Sequence, residues 1–189
     1  MLMLWIVAGI ALVVVAYLVV IYNRLVRLRA LVREGWSGIT VQLRRRADLV
    51  PNLVSTVEGY ATHERELLEQ VTARRGEAVT AKGVAATAQA DAAFTGVLGK
   101  LVAVAEAYPD LKADANFRQL QTDLAEIEEQ LAGARRYYNA TVRDLNTAVQ
   151  SFPDVLVAGP MGFHGEDFYT DDVATLQIAP QVRFGGARA

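Results

Sequence analysis

The sequence predicts an all-α protein. A single N-terminal transmembrane helix continues into an elongated antiparallel bundle of three to four helices, followed by an irregular C-terminal tail with room for a short β-strand. Three observations lead there. The first twenty-three residues carry no charged side chain and the next ten carry four arginines. From there to about residue 152, apolar residues recur at steps of three and four, the period of a helix face. Beyond that point the period stops, and residues 153–189 hold three of the five prolines and five glycines.

Residues 2–23 are the expected membrane segment. A bilayer core needs about 20 apolar residues in helix, and Leu2 to Tyr22 supplies them with no proline and only Gly9 as a weak point. Each central Leu, Ile or Val favours insertion by roughly 0.3–0.6 kcal/mol, and no charge opposes them at about 3 kcal/mol. Trp5 and Tyr22 suit the two headgroup regions. A cleavable signal peptide fits less well, because there is no basic leading region and no small-x-small cleavage site. Arg24, Arg27, Arg29 and Arg33 face only Glu34. Such positive flanks stay in the cytoplasm, so the N-terminus is expected outside and residues 24–189 inside, a body on the other side being the alternative. The same four arginines are candidate contacts for anionic lipid headgroups, which act on nearby Lys and Arg at about 1 kcal/mol each. Zero cysteines exclude a disulfide framework, a lipoprotein anchor and thiolate chemistry.

The cytoplasmic body, 24–152, divides into helices at about 24–50, 51–77, 85–107 and 112–151. Leu25, Leu28, Val32, Trp36, Ile39 and Leu43 form the first apolar face. No breaker separates it from the membrane segment, so the two are expected to be one rod. Pro51 removes a backbone hydrogen bond and clashes with the preceding turn. A kink or short break is therefore expected at Asp48–Pro51, with Asp48 capping the next segment and Pro51 in its first turn. Leu53, Val54, Val57, Leu67, Leu68 and Val71 resume the face, and Gly76 to Gly83 reads as a turn. The alanine-rich third segment carries Phe94, Val97, Leu98, Leu101 and Val102 and ends at Tyr108-Pro109-Asp110. The fourth is a heptad seam, with Phe117, Leu120, Leu124, Ile127, Leu131, Ala134, Tyr138, Thr141, Leu145, Ala148 and Phe152 at alternating steps of three and four.

Chemistry-bearing motifs are sparse. His63-Glu64-Arg65-Glu66 starts like a zinc-protease motif, yet position 67 is leucine where the second histidine belongs. A di-iron bundle site needs two Glu-x-x-His pairs, and none occurs. Tyr137-Tyr138-Asn139 reads as seam plus flank. No catalytic residue, metal or cofactor is expected, and the chain is read as no enzyme. Arg44, Arg45 and Arg46 lie on the order of 30 Å beyond the first arginines, too far to meet lipid. They are assembly candidates, pairing with acidic surfaces such as Glu126, Glu128 and Glu129 in the same chain or the next. With net charge −2, nucleic acid is not an expected partner.

The tail gathers Asp154, Glu166, Asp167, Asp171 and Asp172 before any basic residue. Such a segment alone is disordered, so contacts with neighbouring copies are the expected source of order. Leu176, Ile178, Val182 and Phe184 alternate as in a strand and complete the list of assembly candidates.

The stretch from Tyr22 to Arg75, with VQLRRRADLVPNLV at 41–54 as its core, resembles the hallmark segment of the LemA family. RRYYNATVRDLNTAVQSFP at 135–153, MGF at 161–163 and APQVRF at 179–184 resemble further family elements in the same order. Gly35 departs toward a less helix-friendly residue than alanine. The resemblance implies a bacterial single-pass protein of the cytoplasmic (inner) membrane with a helical-bundle body. It supplies no catalytic residues, and it implies likeness to a magnetosome membrane-remodelling protein and association of some members with a heat-shock membrane protease. Two functions are expected to compete. One is a homo-oligomeric scaffold that organises or shapes the membrane; the other is an adaptor for a membrane protease or envelope-stress system. An enzyme with an unrecognised site ranks third.

Overall fold

The computed structural model describes residues 1–61 and 63–170, and within these every regular element is a helix. The expected all-α class holds. α1 spans Leu2–Glu58, α2 Arg65–Thr80, α3 Val84–Ala105, α4 Pro109–Ala113, α5 Ala115–Gln150 and α6 Val155–Ala158. Residues 2–20 of α1 are exposed along their whole length, and burial begins at Ile21. α1 is the one helix among the described residues long and apolar enough to cross a membrane. Asp114 caps α5, its carboxylate accepting from the Phe117 N–H at 2.9 Å. Gly83, at φ +82°, lets the chain turn from α2 into α3. That turn is shorter than expected, since Gly76 lies inside α2.

α5 runs back along α1. Gly35 faces Tyr138, Gly38 faces Ala134, and Arg46 meets Glu128, so the two helices are antiparallel in a steady register. The glycine that departs from helix propensity has a packing reason. A Cβ at position 35 would lie 3.0 Å from the Tyr138 Cα, so tight that the α5 backbone would have to give by a few tenths of an ångström. Three apolar clusters follow the rod: Ile21, Leu25, Ala148, Val157, Ala158 and Phe163 near the span, one around Ile39, Leu131 and Tyr138, and a distal one around Leu53, Phe94, Leu101 and Phe117. Most of the α5 seam is buried, but Phe152 is 81% exposed because the helix ends at Gln150.

Of the kink or short break expected at Asp48–Pro51, the break is corrected. α1 runs through Pro51 to Glu58, the next helix begins at Arg65, and Asp48 is an exposed mid-helix residue that caps nothing. The reason lies on α2. Proline has no N–H to give the carbonyl four residues back, which orphans the Ala47 oxygen. The Arg75 Nε–H donates to that oxygen at 2.6 Å. A side chain from the neighbouring helix replaces the lost bond, so the helix has no unsatisfied group to expose.

The tail up to Thr170 is also corrected: its own chain holds it. α6 packs beneath Ile21 and Leu25, the Tyr22 and Phe163 rings meet edge-on at 5.7 Å, and residues 163–170 climb back along α5. The Asn146 amide pairs with both the N–H and C=O of Glu166, at 2.8 and 2.9 Å. The Asn139 amide does the same to Tyr169, again at 2.8 and 2.9 Å.

If Arg75 substitutes for the proline's missing N–H, Arg75→Met should lower stability by about 1–3 kcal/mol, the cost of an unsatisfied buried acceptor. In a Pro51→Ala background the N–H returns and most of that cost should vanish. Denaturant unfolding of the soluble body across this double-mutant cycle measures the coupling.

Candidate functional site

Two polar constellations stand out from this helical body. One is buried. Asp91, fully buried on α3, receives the Arg46 guanidinium of α1, the Arg135 guanidinium of α5 and the Tyr169 hydroxyl of the tail, the last at 2.6 Å. Arg46 also donates to Glu128 and, at 2.9 Å, to the Thr95 hydroxyl. The Arg46 guanidinium lies 5.1 Å from the Phe94 ring centre and that of Arg135 5.1 Å from the Tyr169 ring, so both cations rest on aromatic faces. Two cations and two carboxylates balance here, Arg46 and Asp91 fully buried at the centre and Arg135 and Glu128 reaching solvent at the margin.

The expectation that Arg46 pairs with Glu128 holds, but its use in assembly is corrected, because Arg46 is sealed inside its own chain. Arg44 and Arg45 are exposed. Leu176, Ile178, Val182 and Phe184 lie outside the described residues. Sequence reasoning missed Asp91 and Arg135. The available signal was that Asp91 is the only charge between Val84 and Gly99 in an apolar helix. It missed the asparagine clamps too, although Asn139 and Asn146 stand one heptad apart on one face.

The second constellation is the membrane-proximal collar. Arg24 donates to Asp154 at 2.8 Å, and that carboxylate is 4% exposed, so Arg24 has a structural duty beyond lipid contact. The Arg29 guanidinium covers the Phe163 ring at 4.4 Å. Arg27 and Arg33 are exposed and form no ion pair among the described residues. The four expected headgroup contacts thus divide into two that hold the tail and two left to solvent or lipid.

Tyr138 joins the parts. It fills the seam, stacks 5.6 Å from Trp36 and donates its hydroxyl to the Asp167 carbonyl at 2.8 Å. Burial first, then the Glu166 and Asp167 charges, push its pKa up to about 12. The neutral phenol is favoured in the fold, so its contribution is complete below the ordinary pKa of 10 and is lost as pH rises toward 12. Among the described residues no three His, Cys, Asp or Glu side chains gather as metal ligands, and His63 is exposed.

The LemA family model matches residues 35–184. Magnetosome protein MamQ 2 of Paramagnetospirillum magneticum is 26% identical over 89% of this chain and 72% of its own length. MamQ of Magnetospirillum gryphiswaldense is 25% identical over 85% and 70%. Protein LemA of Metamycoplasma hominis is 25% identical over 69% and 60%.

Asp91→Asn should cost about 3–5 kcal/mol, because it removes the buried charge that the Arg46 and Arg135 guanidinium groups share, and thermal unfolding of the variant checks this. Absorbance titration should show a late tyrosine phase near pH 12, and Tyr138→Phe should remove that phase.

Proposed function

The chain belongs to the LemA family, and from that premise we propose that it is a non-enzymatic, membrane-anchored scaffold. Its helical bodies self-assemble and thereby organise or shape the bacterial cytoplasmic membrane. The observation that carries this reading is the continuity of α1. Its 57 residues make a rod about 85 Å long at 1.5 Å per residue. A rod without a joint converts the packing of bodies into the spacing and tilt of membrane spans. The likeness to proteins named for the magnetosome supports a membrane role.

The finer parts of the proposal follow from the same residues. α1, α2, α3 and α5 form the antiparallel bundle, with the N-terminus outside and the body in the cytoplasm, as Arg24, Arg27, Arg29 and Arg33 favour. Contacts between copies use exposed Arg44 and Arg45 against acidic positions such as Glu126 and Glu129, together with Leu176, Ile178, Val182 and Phe184. Such pairing of one surface with a different one on the next copy generates a ring or a filament.

Full-length protein in mild detergent should form a closed, symmetric assembly under the electron microscope. Truncation after Thr170 removes the last four candidates but keeps the clamped segment, so it should lower the assembly's mass while helical content holds. A monodisperse monomer of the full chain would overturn the scaffold and leave the adaptor reading in its place.

A further inference from the structure

The turn that follows α5 has two faces of opposite character to account for. Val157, Ala158 and Phe163 point inward and close over Ile21 and Leu25. Phe152, Val155, Leu156 and Met161 point outward, at 81, 42, 65 and 58% exposure. Four large apolar side chains within ten residues therefore face away from the body. A solvated loop gains nothing from such a composition.

Their height along the rod is set by the α1–α5 register. Gly35 faces Tyr138, and Leu25 shares a cluster with Ala148. α5 ends at Gln150, and the turn after it packs Val157, Ala158 and Phe163 against Ile21, which brings the turn to the level where the exposed apolar part of α1 ends and burial starts. The outward face thus sits at the end of the span. The only charge between Ser151 and Phe163 is Asp154, and it is buried against Arg24. Carboxylates reappear at Glu166 and Asp167, after the chain has turned to climb α5 away from the span. Arg27, exposed on α1 just beyond this level, forms no ion pair among the described residues.

We propose that residues 151–162 form a second membrane contact: a shallow apolar foot that sets Phe152, Val155, Leu156 and Met161 among the headgroups of the leaflet from which α1 emerges. The inference rests on α1 spanning the bilayer. The occupant is lipid because the face is continuous with the apolar surface of the span. The foot's own carboxylate is neutralised within the chain, as insertion requires. A foot on one side of α1 adds volume to one leaflet only, at a distance from the span set by the width of the α1–α5 pair.

The cysteine-free chain makes a direct test available. Val13→Cys, Leu156→Cys, Met161→Cys and Val79→Cys variants of the full chain are spin-labelled singly. They are reconstituted in vesicles of equal parts phosphatidylcholine and phosphatidylglycerol. Collision with oxygen, which concentrates in lipid, is compared with collision with a water-soluble nickel chelate. The expected result is a lipid-like label at 13, a water-like label at 79 on α2, and labels at 156 and 161 with an oxygen preference several-fold above that at 79. Labels at 156 and 161 that behave like 79 while 13 stays lipid-like would overturn the foot. So would labels shielded from both colliders, the result of a second copy covering the face. A water-like label at 13 would instead refute the span on which the proposal rests.

Discussion

The antiparallel pairing of α1 with α5 depends on a charge that has nowhere else to go, the Asp91 carboxylate buried between them on α3. Arg46, Arg135 and Tyr169 reach it from α1, α5 and the tail. Apolar seams tolerate a shift of one turn with modest loss, since leucine packs against leucine again. A buried carboxylate tolerates none, because a shift of about 5 Å, one helical turn, parts it from both guanidinium groups in a medium that cannot solvate it. The cluster lies between the distal and central apolar clusters. It fixes the register that the apolar side chains then fill, including the approach of Gly35 to Tyr138.

From that register the path of the tail follows by simple geometry. Asn139 and Asn146 are seven residues apart in helix, about 10.5 Å. Glu166 and Tyr169 are three residues apart in extended chain, about 10 Å. The two repeats match, so two amides on one helix face read the backbone of an extended segment without strain. The clamps bind main chain, which any sequence offers, and Tyr169 then places its side chain in the Asp91 cluster. Side-chain burial selects the segment, and the asparagines hold it.

The parts legible in the sequence were those governed by local period. The apolar start of α1, the alanine-rich α3 and the long seam of α5 follow from residue spacing alone, although the expected start at 112 falls inside the short α4 and α5 begins at Ala115. What stayed hidden needed a partner from elsewhere in the chain. Pro51 reads as a break until Arg75, twenty-four residues on, supplies the missing donor. Arg46 reads as one of three equivalent surface arginines, because the period does not reveal that Asp91 will face it. Arg24 reads as lipid-directed for the same reason, since Asp154 is 130 residues away. Heptad analysis even placed Phe152 in the seam, two residues past where α5 ends. For Pro51, Arg46 and Arg24, a long-range polar contact adds what no local rule contains.

A lone transmembrane helix can tilt and spin about its axis, and neither motion is opposed by a symmetric lipid environment. The foot changes that. It attaches to one side of α1 through Ile21, Leu25 and the Arg24–Asp154 pair. Rotating α1 then lifts the apolar face out of the headgroups or drives the body into them. With both contacts engaged, the body is oriented about the membrane normal before it meets another copy. In the proposed scaffold, surfaces that pair between copies would then meet already aligned, with part of the rotational entropy of assembly spent beforehand. The Asp91 cluster supports this at a distance: by holding α5 in register it keeps the foot at the level of Ile21. A slip of one turn would bury the foot in hydrocarbon or strand it in water. Buried charge at mid-body and apolar contact at the membrane are in this way one mechanical device.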